Sequence, residues 1–522
     1  MEESALVKLD IKQNTYYDSV TLMLISKDLK KLDGVEEALV GMGTDLNRDI
    51  AHNLGLVTPE FETITANDFF VAIRCENDDV MAAALAKVDE LLTKKKENSS
   101  ANYYPPTLSS AIKMDDQLNL AIISVPGKYA AGVADECLDH DINVMLFSDN
   151  VTIEEEKRLK EKAVSKELLM MGPDCGTAII NNVPLAFANV IRPGDIGIVG
   201  ASGTGTQELS SLIGQFGGGV SQVIGTGGRD LKIEIGGLMM TFALDALIQD
   251  PKTKVIALTS KPPAEEIADK ILKQAAASGK PVVVCFVGGD PEQVKKYGLI
   301  PALSLEDAAR KAVALSKGEP VVDFTGFSAP DAEIDAIVKA ETAKFAPTQK
   351  YVRGLYTGGT LCDEAMKMLT KAFGGVYSNI PLKPEFKLED VNVGVENTCL
   401  DYGDDDFTRG RPHPMIDPSL RAERVVKESL DPTVAVILAD CVIGYGSHPN
   451  PAEDLADAIR TAKANAEKDG RYLSVITSVC GTEEDPQSLS KTQQQLRDAG
   501  AVVMPTNSQA TRLVERIISN IK

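Results

Sequence analysis

Histidine is scarce in this chain of 522 residues, and the cysteines are scattered. The four histidines are His52, His140, His413 and His448. So few imidazoles make a zinc site unexpected, and we predict no metal site. The eight cysteines include no Cys-x-x-Cys pair, which is typical of reduced thiols in packed cores rather than of disulfides or metal clusters.

Long apolar runs and excess positive charge are also missing. No segment approaches the roughly 18 consecutive apolar residues that mark a membrane span, and the first ten residues, MEESALVKLD, lack the apolar core of a signal peptide. The formal net charge is -22, which argues against nucleic acids and anionic membranes as partners. We therefore expect a cytoplasmic protein that binds neither.

The most informative segment is a turn rich in glycine and hydroxyl groups. It follows an apolar run at 196–199, typical of a buried parallel strand, and precedes a helical pattern from Gln207. Free N–H groups at a helix N-terminus attract anions, so this turn predicts a phosphate or carboxylate site. The alternative is an ordinary βα turn without a ligand. The predicted binding residues are Ser202, Gly203, Thr204, Gly205 and Thr206.

Two further turns have a similar composition. Residues 225–230, GTGGRD, follow another apolar run, and residues 172–176, GPDCG, lie just upstream of the first turn. Gly227 and Gly228 are predicted to line the same site. Arg229 is predicted to be a catalytic clamp for phosphate or carboxylate, because its guanidinium pairs with both oxygens of such a group. A structural ion pair with a neighbouring acid is the alternative for Arg229.

Strand and helix patterns alternate along the chain, which predicts an α/β fold with parallel sheets and ligands at the carboxyl ends of the strands. The predicted domains are 1–95, 115–190, 192–318 and 350–522, with a linker at 94–109. Within the first domain, the patterns predict strands at 20–25 and 69–74 and helices at 27–39 and 79–94.

The last domain repeats the glycine and threonine turn after a strand. Its predicted phosphate-binding residues are Gly358, Gly359 and Thr360. Lys261, which precedes two prolines, is a further candidate for anion binding. His448 is predicted to donate to a developing oxyanion or to act as an acid, and the alternative is a turn histidine fixed by backbone hydrogen bonds. Cys175 is expected to be a packed thiol.

Several of these motifs resemble known proteins. GPDCG, GIVGASGTGTQE and GTGGRD are similar, in order and spacing, to the succinyl-CoA synthetase α subunit and its acyl-CoA synthetase relatives. The chain resembles the FdrA family more closely, over most of residues 110–520. The motifs that carry this resemblance are VPGKYAAG, VMLFSDNV, MGPDCGTAII, GASGTGTQE, GTGGRDL, SKPP, YTGGTLCDE, RPHPMID, GYGSHPNPA and VCGTEEDPQ.

The resemblance implies a synthetase-type fold. Residues 115–190 would form a Rossmann-like domain of the CoA-binding type, and residues 192–318 a flavodoxin-like domain of the synthetase α type. Residues 350–522 would form a flavodoxin-like domain of the β type. Residues 1–95 lie outside the resemblance, and their strand and helix patterns predict a small N-terminal α/β domain. The chain departs from the synthetases at 288–308, where they carry a phosphorylated histidine and this chain has none. No ATP-binding domain is evident.

The resemblance to the FdrA family implies a subunit of oxamate carbamoyltransferase in allantoin breakdown, a step of purine catabolism. That enzyme converts oxalurate and phosphate to oxamate and carbamoyl phosphate, together with other polypeptides. The alternatives are an acyl-CoA synthetase of the succinate–CoA ligase type and a non-catalytic subunit that binds CoA or a nucleotide. No cofactor is certain: CoA stays open, and no nucleotide site is evident. The expected partners are small anions and other subunits.

Overall fold

The computed structural model describes residues 6–13, 15, 17–97, 105 and 107–521. They fall into two compact units. One comprises Met1–Met114 with Phe407–His413, and the other Asp115–Asp406 with Pro414–Lys522. Half of the predicted linker, at 98–104 and 106, lies outside the described residues. The predicted α/β class, with several parallel sheets and a small N-terminal domain, is confirmed.

The first unit is built on a small antiparallel sheet with the order β1-β3-β2. Strand β3 pairs with both neighbours, and its alternate residues face two separate apolar clusters: Phe69 and Val71 pack in one, Phe70 and Ala72 in the other. Its elements are β1 Leu6–Lys12, α1 Ser19–Leu29, β2 Val35–Met42, α2 Asp45–Asn53, β3 Phe69–Cys75, α3 Asp78–Glu97 and α4 Leu108–Met114.

Two predictions in this unit are wrong. Residues 20–25 form part of α1 instead of a strand, and residues 35–39 of the predicted helix belong to β2. The buried residues Leu22, Ile25 and Leu29 recur at helical spacing, so one face of α1 packs on the sheet. The carboxylate of Asp18 accepts the N–H of Thr21 at 2.9 Å and caps this helix. The strand at 69–74 and the helix at 79–94 are confirmed by β3 and α3.

The second unit contains three sheets. A three-stranded parallel sheet has the order β4-β5-β6, a seven-stranded sheet the order β13-β12-β11-β9-β10-β7-β8, and a five-stranded sheet the order β15-β14-β16-β17-β18.

The first part of the second unit comprises β4 Leu120–Ile123, α5 Gly127–Asp139, β5 Asn143–Leu146, α6 Ile153–Ser165, β6 Met170–Met171, β7 Thr177–Ile180, β8 Val183–Ala186, β9 Pro193–Gly200, α7 Gly203–Gln215, β10 Val220–Gly225, α8 Leu238–Gln249, β11 Val255–Ser260, α9 Glu265–Ala276, β12 Val282–Phe286, α10 Pro291–Lys295, β13 Ile300–Pro301 and α11 Leu305–Lys317. The second part comprises α12 Asp331–Thr342, β14 Tyr351–Tyr356, α13 Gly359–Phe373, β15 Thr398–Asp401, α14 Asp405–Thr408, α15 Ser419–Glu428, β16 Val434–Val442, α16 Pro451–Lys468, β17 Ser474–Cys480, α17 Leu489–Asp498, β18 Val502–Met504 and α18 Asn507–Ser519.

The seven-stranded and five-stranded sheets repeat one arrangement. Strand β9 lies between β10 and β11 and leads into α7, while β14 lies between β15 and β16 and leads into α13. The registers also correspond, since Val199 pairs with Leu258 and Leu355 pairs with Ala439, each three residues before a helix N-cap. We call the parts built on these two sheets the first and second lobes.

The hairpin of β7 and β8 belongs to the first lobe. Strand β7 pairs antiparallel with β10, although it lies in the predicted 115–190 domain. Its turn residues Asn181 and Asn182 both have positive φ, 49° and 66°, as a two-residue hairpin turn requires. Sheet membership therefore changes near residue 177, which differs from the predicted limit near 190. None of the helices in the described residues has the length and apolarity needed to cross a bilayer.

The two lobes share one hydrophobic core, which includes Leu209 of α7, Leu361 of α13 and Leu513 of α18. Two buried carboxylates, Glu208 and Glu364, lie within this region. Glu208 accepts the N–H of Asn507 at 3.4 Å, and Glu364 accepts the side-chain N–H of Asn507 at 2.8 Å. Burial, followed by the charge of Glu364, raises the pKa of Glu208 to about 8.

This shift predicts a pH-dependent stability. The folded chain holds the Glu208 proton more tightly than the unfolded chain does. The contribution of Glu208 to the free energy of unfolding is therefore complete below about pH 4.5 and falls as the pH rises towards about 8. Glu208→Gln keeps an acceptor for Asn507 but cannot titrate. Urea unfolding at about pH 5 and about pH 8 should show a smaller loss of unfolding free energy in the variant than in the wild type. The exposed Glu319→Gln should follow the wild type, and equal losses in all three proteins would contradict the prediction.

Candidate anion-binding site at two helix N-termini

Helices α7 and α13, one from each lobe, begin against each other. Ser202 is the N-cap of α7, and its Oγ accepts the N–H of Gly205 at 3.1 Å. The same Oγ lies 2.5 Å from Oγ1 of Thr360, the second residue of α13. The predicted turns of the two lobes therefore meet through a hydrogen bond between their hydroxyl groups.

Glycines permit this close approach. A Cβ on Gly205 would lie 2.5 Å from Ser202 Oγ and 2.7 Å from Thr360 Cγ2. A Cβ on Gly358 would lie 2.9 Å from Thr204 Cβ. A Cβ on Gly203, by contrast, would meet no atom within 4 Å. Gly205 and Gly358 are thus required for the contact between the lobes, while Gly203 faces open space.

The electrostatics of this junction favour an anion. The first-turn N–H groups of a helix have no partner within the helix, and the helix dipole places about half a positive charge at its N-terminus. Neither α7 nor α13 carries an acidic residue in its first turn. The hydroxyl oxygens of Ser202 and Thr360 lie 2.5 Å apart, so the positive potentials of the two helix N-termini overlap at this junction. Phosphate and carboxylate groups suit such a site.

The other two predicted turns join the first. The N–H of Thr226 donates to the carbonyl of Gly200 at 2.9 Å, which ties the second turn to the end of β9. A Cβ on Gly227, whose φ is +84°, would lie 2.2 Å from the carbonyl oxygen of Pro173. A Cβ on Gly225 would lie 2.5 Å from Cys175 Sγ. The three turns therefore lie together at the carboxyl ends of the strands.

Arg229 takes part in a structural ion pair. One guanidinium nitrogen lies 2.9 Å from Glu156 and donates to the carbonyl of Val151 at 2.7 Å. Glu156 in turn pairs with the fully buried Lys160, which also pairs with Asp230 at 2.8 Å. The structural ion pair that was the alternative for Arg229 is thus present. The Arg229 side chain is still 29% exposed, and its catalytic role stays a prediction.

Three other predicted residues have defined surroundings. The hydroxyl of Thr206 donates to the carbonyl of Ser202, so Thr206 supports the turn from within. The half-buried His448 donates its backbone N–H to Met415, and its Nδ1 accepts the N–H of Asn450 at 3.2 Å. These contacts fit a turn histidine, and no contact among the described residues joins His448 to Ser202 or Arg229. Burial raises the pKa of Cys175 to about 12, as expected for a packed thiol.

Sequence reasoning missed Asp440. This buried carboxylate accepts the N–H groups of Thr357 and Gly358 at 2.7 and 2.8 Å and pairs with Arg421 at 2.9 Å. It thereby fixes the turn that leads into α13. The available signal was a single charged residue inside the apolar run of β16, at 434–442.

Asp401, at the end of β15, was also missed. It is 8% exposed, and one carboxylate oxygen accepts the N–H of Gly403 at 2.9 Å. Its other oxygen would lie 2.4 Å from a Cβ on Gly359, the first residue of α13. Burial raises the pKa of Asp401 to about 7, although the charge of Lys261 opposes this shift. The exposed Lys261 therefore favours the ionised form of Asp401.

The described residues contain no group of three or more His, Cys, Asp or Glu side chains that could hold a metal ion. Asp404 and Asp406 form a local turn at the start of α14, where Asp404 accepts the N–H of Asp406 at 3.1 Å.

Three family descriptions match parts of the chain. Residues 3–105 match an AllF heavy metal-associated domain, residues 191–288 a CoA binding domain, and residues 355–517 a CoA-ligase. The two CoA-related matches cover strands and helices of the first and second lobes, respectively.

Individual proteins are also similar. YahF of Escherichia coli is 49% identical over 511 residues, covering 98% of both chains. The α subunit of an ADP-forming succinate–CoA ligase from Methanothermobacter thermautotrophicus is 28% identical over 42% of this chain and 74% of its own length. A dinucleotide-forming acetyl-coenzyme A synthetase from Korarchaeum cryptofilum covers 79% of this chain and 84% of its own, with a TM-score of 0.35 and 17% identity.

The glycine contacts predict opposite effects of two neighbouring substitutions. Gly205→Ala forces a methyl group between Ser202 and Thr360, which should cost about 1–3 kcal/mol of stability and weaken binding of inorganic phosphate. Gly203→Ala meets open space and should be neutral or slightly stabilising, since alanine favours helix. Calorimetric unfolding and isothermal titration with phosphate measure both effects. Equal stability and equal phosphate affinity in the two variants would refute the assigned contact.

Proposed function

Since this chain belongs to the family of the Escherichia coli protein YahF and is acyl-CoA-ligase-like in its two lobes, we propose that it is a subunit of a transferase that handles an acyl phosphate. The resemblance to the FdrA family narrows the proposal to oxamate carbamoyltransferase, with carbamoyl phosphate as the acyl phosphate. The chain would act with other subunits of the same complex.

The observation that carries this proposal is the meeting of two helix N-termini from two lobes, with Ser202 Oγ 2.5 Å from Thr360 Oγ1. A dianionic phosphate placed against both first turns would receive N–H donors and dipole stabilisation from each helix. Carbamoyl transfer requires such neutralisation, a polarised carbonyl and aligned reactants, but no covalent enzyme intermediate.

The proposed roles follow from position. The phosphate group would lie between the α7 and α13 N-termini, and the neighbouring turn and Lys261 would contribute further donors and positive charge. Arg229 keeps a proposed catalytic role through the guanidinium donors that Glu156 and Val151 do not take. His448 stays a candidate acid. The proposed binding residues are Ser202, Gly203, Thr204, Gly205, Gly227, Gly228, Lys261, Gly358, Gly359 and Thr360, with Thr206 as their support.

The second candidate is an acyl-CoA ligase, which the CoA-binding and CoA-ligase matches favour. Ligases of the succinyl-CoA synthetase type depend on a phosphorylated histidine, and the corresponding segment 288–308 of this chain has none. The same matches are compatible with a non-catalytic subunit that binds CoA. Both alternatives predict CoA binding without carbamoyl transfer, and this separates them from the proposal.

The test is formation of carbamoyl phosphate from oxalurate and inorganic phosphate, by the chain alone and together with its co-purifying subunits. Thr360→Val removes the bridging hydroxyl but keeps the shape of the side chain, so turnover should fall about 100-fold. Arg229→Ala should also lower turnover. Thr461→Val, which changes an exposed threonine of α16, should leave turnover unchanged.

Two results would overturn the proposal. One is the absence of turnover in every combination of subunits, accompanied by binding of CoA. The other is turnover that Thr360→Val and Thr461→Val affect equally, since the site would then lie away from the paired helix N-termini.

A further inference from the structure

We propose that Asp401 is the catalytic group that moves the proton during transfer at the paired helix N-termini, with Lys261 as its positioning charge. The inference rests on the proposed function and deepens it, because it assigns the acid and base that the reaction needs. The two catalytic residues predicted from the sequence, Arg229 and His448, have no hydrogen bond or ion pair with the α13 N-terminus among the described residues.

The backbone of Asp401 is held on both sides by one side chain. Its N–H donates to Asn379 Oδ1 at 3.0 Å, and its carbonyl accepts from Asn379 Nδ2 at 3.0 Å. Oδ1 of Asp401 accepts the N–H of Gly403 at 2.9 Å, which fixes the plane of the carboxylate. Oδ2 accepts no hydrogen bond from the described residues. A carboxylate that is 8% exposed is thus fixed in place with one oxygen available.

That oxygen lies at the start of α13. A Cβ on Gly359 would lie 2.4 Å from Asp401 Oδ2, so only glycine accommodates the carboxylate there. Gly359 is the first residue of α13, and Thr360 beside it contacts Ser202 of α7. An anion bound by the first-turn N–H groups of α13 therefore lies beside the Asp401 carboxylate.

The surrounding charges suit proton transfer. Lys261, at the end of β11 in the first lobe, favours the ionised form of Asp401, whereas Asp404 and Asp440 favour the protonated form. Asp440 is itself paired with Arg421. Burial is the largest influence and raises the pKa of Asp401 to about 7. A group that populates both forms near neutral pH is suited to act as base and then as acid.

The step balances without a further reactant. Asp401 accepts the proton of monohydrogen phosphate as the phosphate oxygen forms its bond to the ureido carbonyl of the carbamoyl donor. The carbon–nitrogen bond then breaks, its electron pair goes to the departing amide nitrogen, and Asp401 returns the proton to that nitrogen. The products are carbamoyl phosphate and the neutral amide, with no net uptake or release of protons.

A first test does not require turnover. Sulfate mimics phosphate but does not titrate near neutral pH, so its binding next to Asp401 should raise the pKa of this carboxyl. Isothermal titration in two buffers of different ionisation enthalpy, at about pH 7.5, should show uptake of up to about half a proton per sulfate. Asp401→Asn keeps the acceptor for Gly403 and should bind sulfate without that uptake. Asp404→Asn removes a neighbouring carboxylate that favours protonated Asp401, so this variant should keep the proton uptake but shift it to lower pH.

The outcomes separate the two proposals. If the wild type binds neither sulfate nor phosphate, the proposed function fails and the inference fails with it. If sulfate binds and the Asp401→Asn protein takes up as many protons as the wild type, only the inference fails.

Kinetics give a second readout. In the proposed transferase, Asp401→Asn should lower kcat about 100-fold to 10,000-fold and remove the ionisation near pH 7 from the pH profile, with little change in KM for phosphate. Asp404→Asn should keep the ionisation but shift it to lower pH. A pH profile for Asp401→Asn that retains the wild-type ionisation would show that Asp401 only supports the Gly403 turn.

Discussion

The close approach of two helix N-termini is the constraint on which the rest of the second unit depends. Each N-terminus carries about half a positive charge, so their fields oppose the contact between Ser202 and Thr360. The apolar core that the two lobes share, including Leu209 and Leu361, holds the helices together against this repulsion. Negative charge placed at the junction relieves it. The proposed anion binding would therefore be coupled to lobe packing, because a ligand that fits the junction would stabilise the assembled lobes.

The two lobes differ in the groups that lie next to the turn before each helix. In the second lobe, Asp440 lies beneath the turn before α13 and accepts two of its N–H groups. The corresponding register position in the first lobe is Thr259, whose carbonyl accepts the N–H of Ala201 at 3.0 Å and which brings no charge. The turn before α13 thus has a buried carboxylate as an internal partner, while the turn before α7 has none at the corresponding position. Under the proposal, the phosphate supplies the negative charge that the α7 turn lacks.

The sequence predicts local features well and long-range contacts poorly. Strand–turn–helix patterns were sufficient to predict the α7 and α13 turns, because apolar runs and glycines are local signals. The strand predicted at 20–25 was wrong because its apolar run fits either period, and only packing on the sheet selects the helix. The partner of Arg229 could not be predicted, since Glu156 lies far away in sequence, on helix α6. Asp401 and Asp440 gain their positions from strand register, which a sequence without structure does not specify.

The absence of a histidine from residues 288–308 can be related to the position of Asp401. A phosphorylated imidazole carries phosphate between separate sites, so it is needed only when donor and acceptor bind apart. Here the two helix N-termini meet directly, and a phosphate and a carbonyl compound would bind side by side. Direct transfer then needs a proton acceptor instead of a phosphate carrier. In the proposed reaction, a carboxylate next to Gly359, with its proton affinity set by burial and by Lys261, would meet that need without leaving the site.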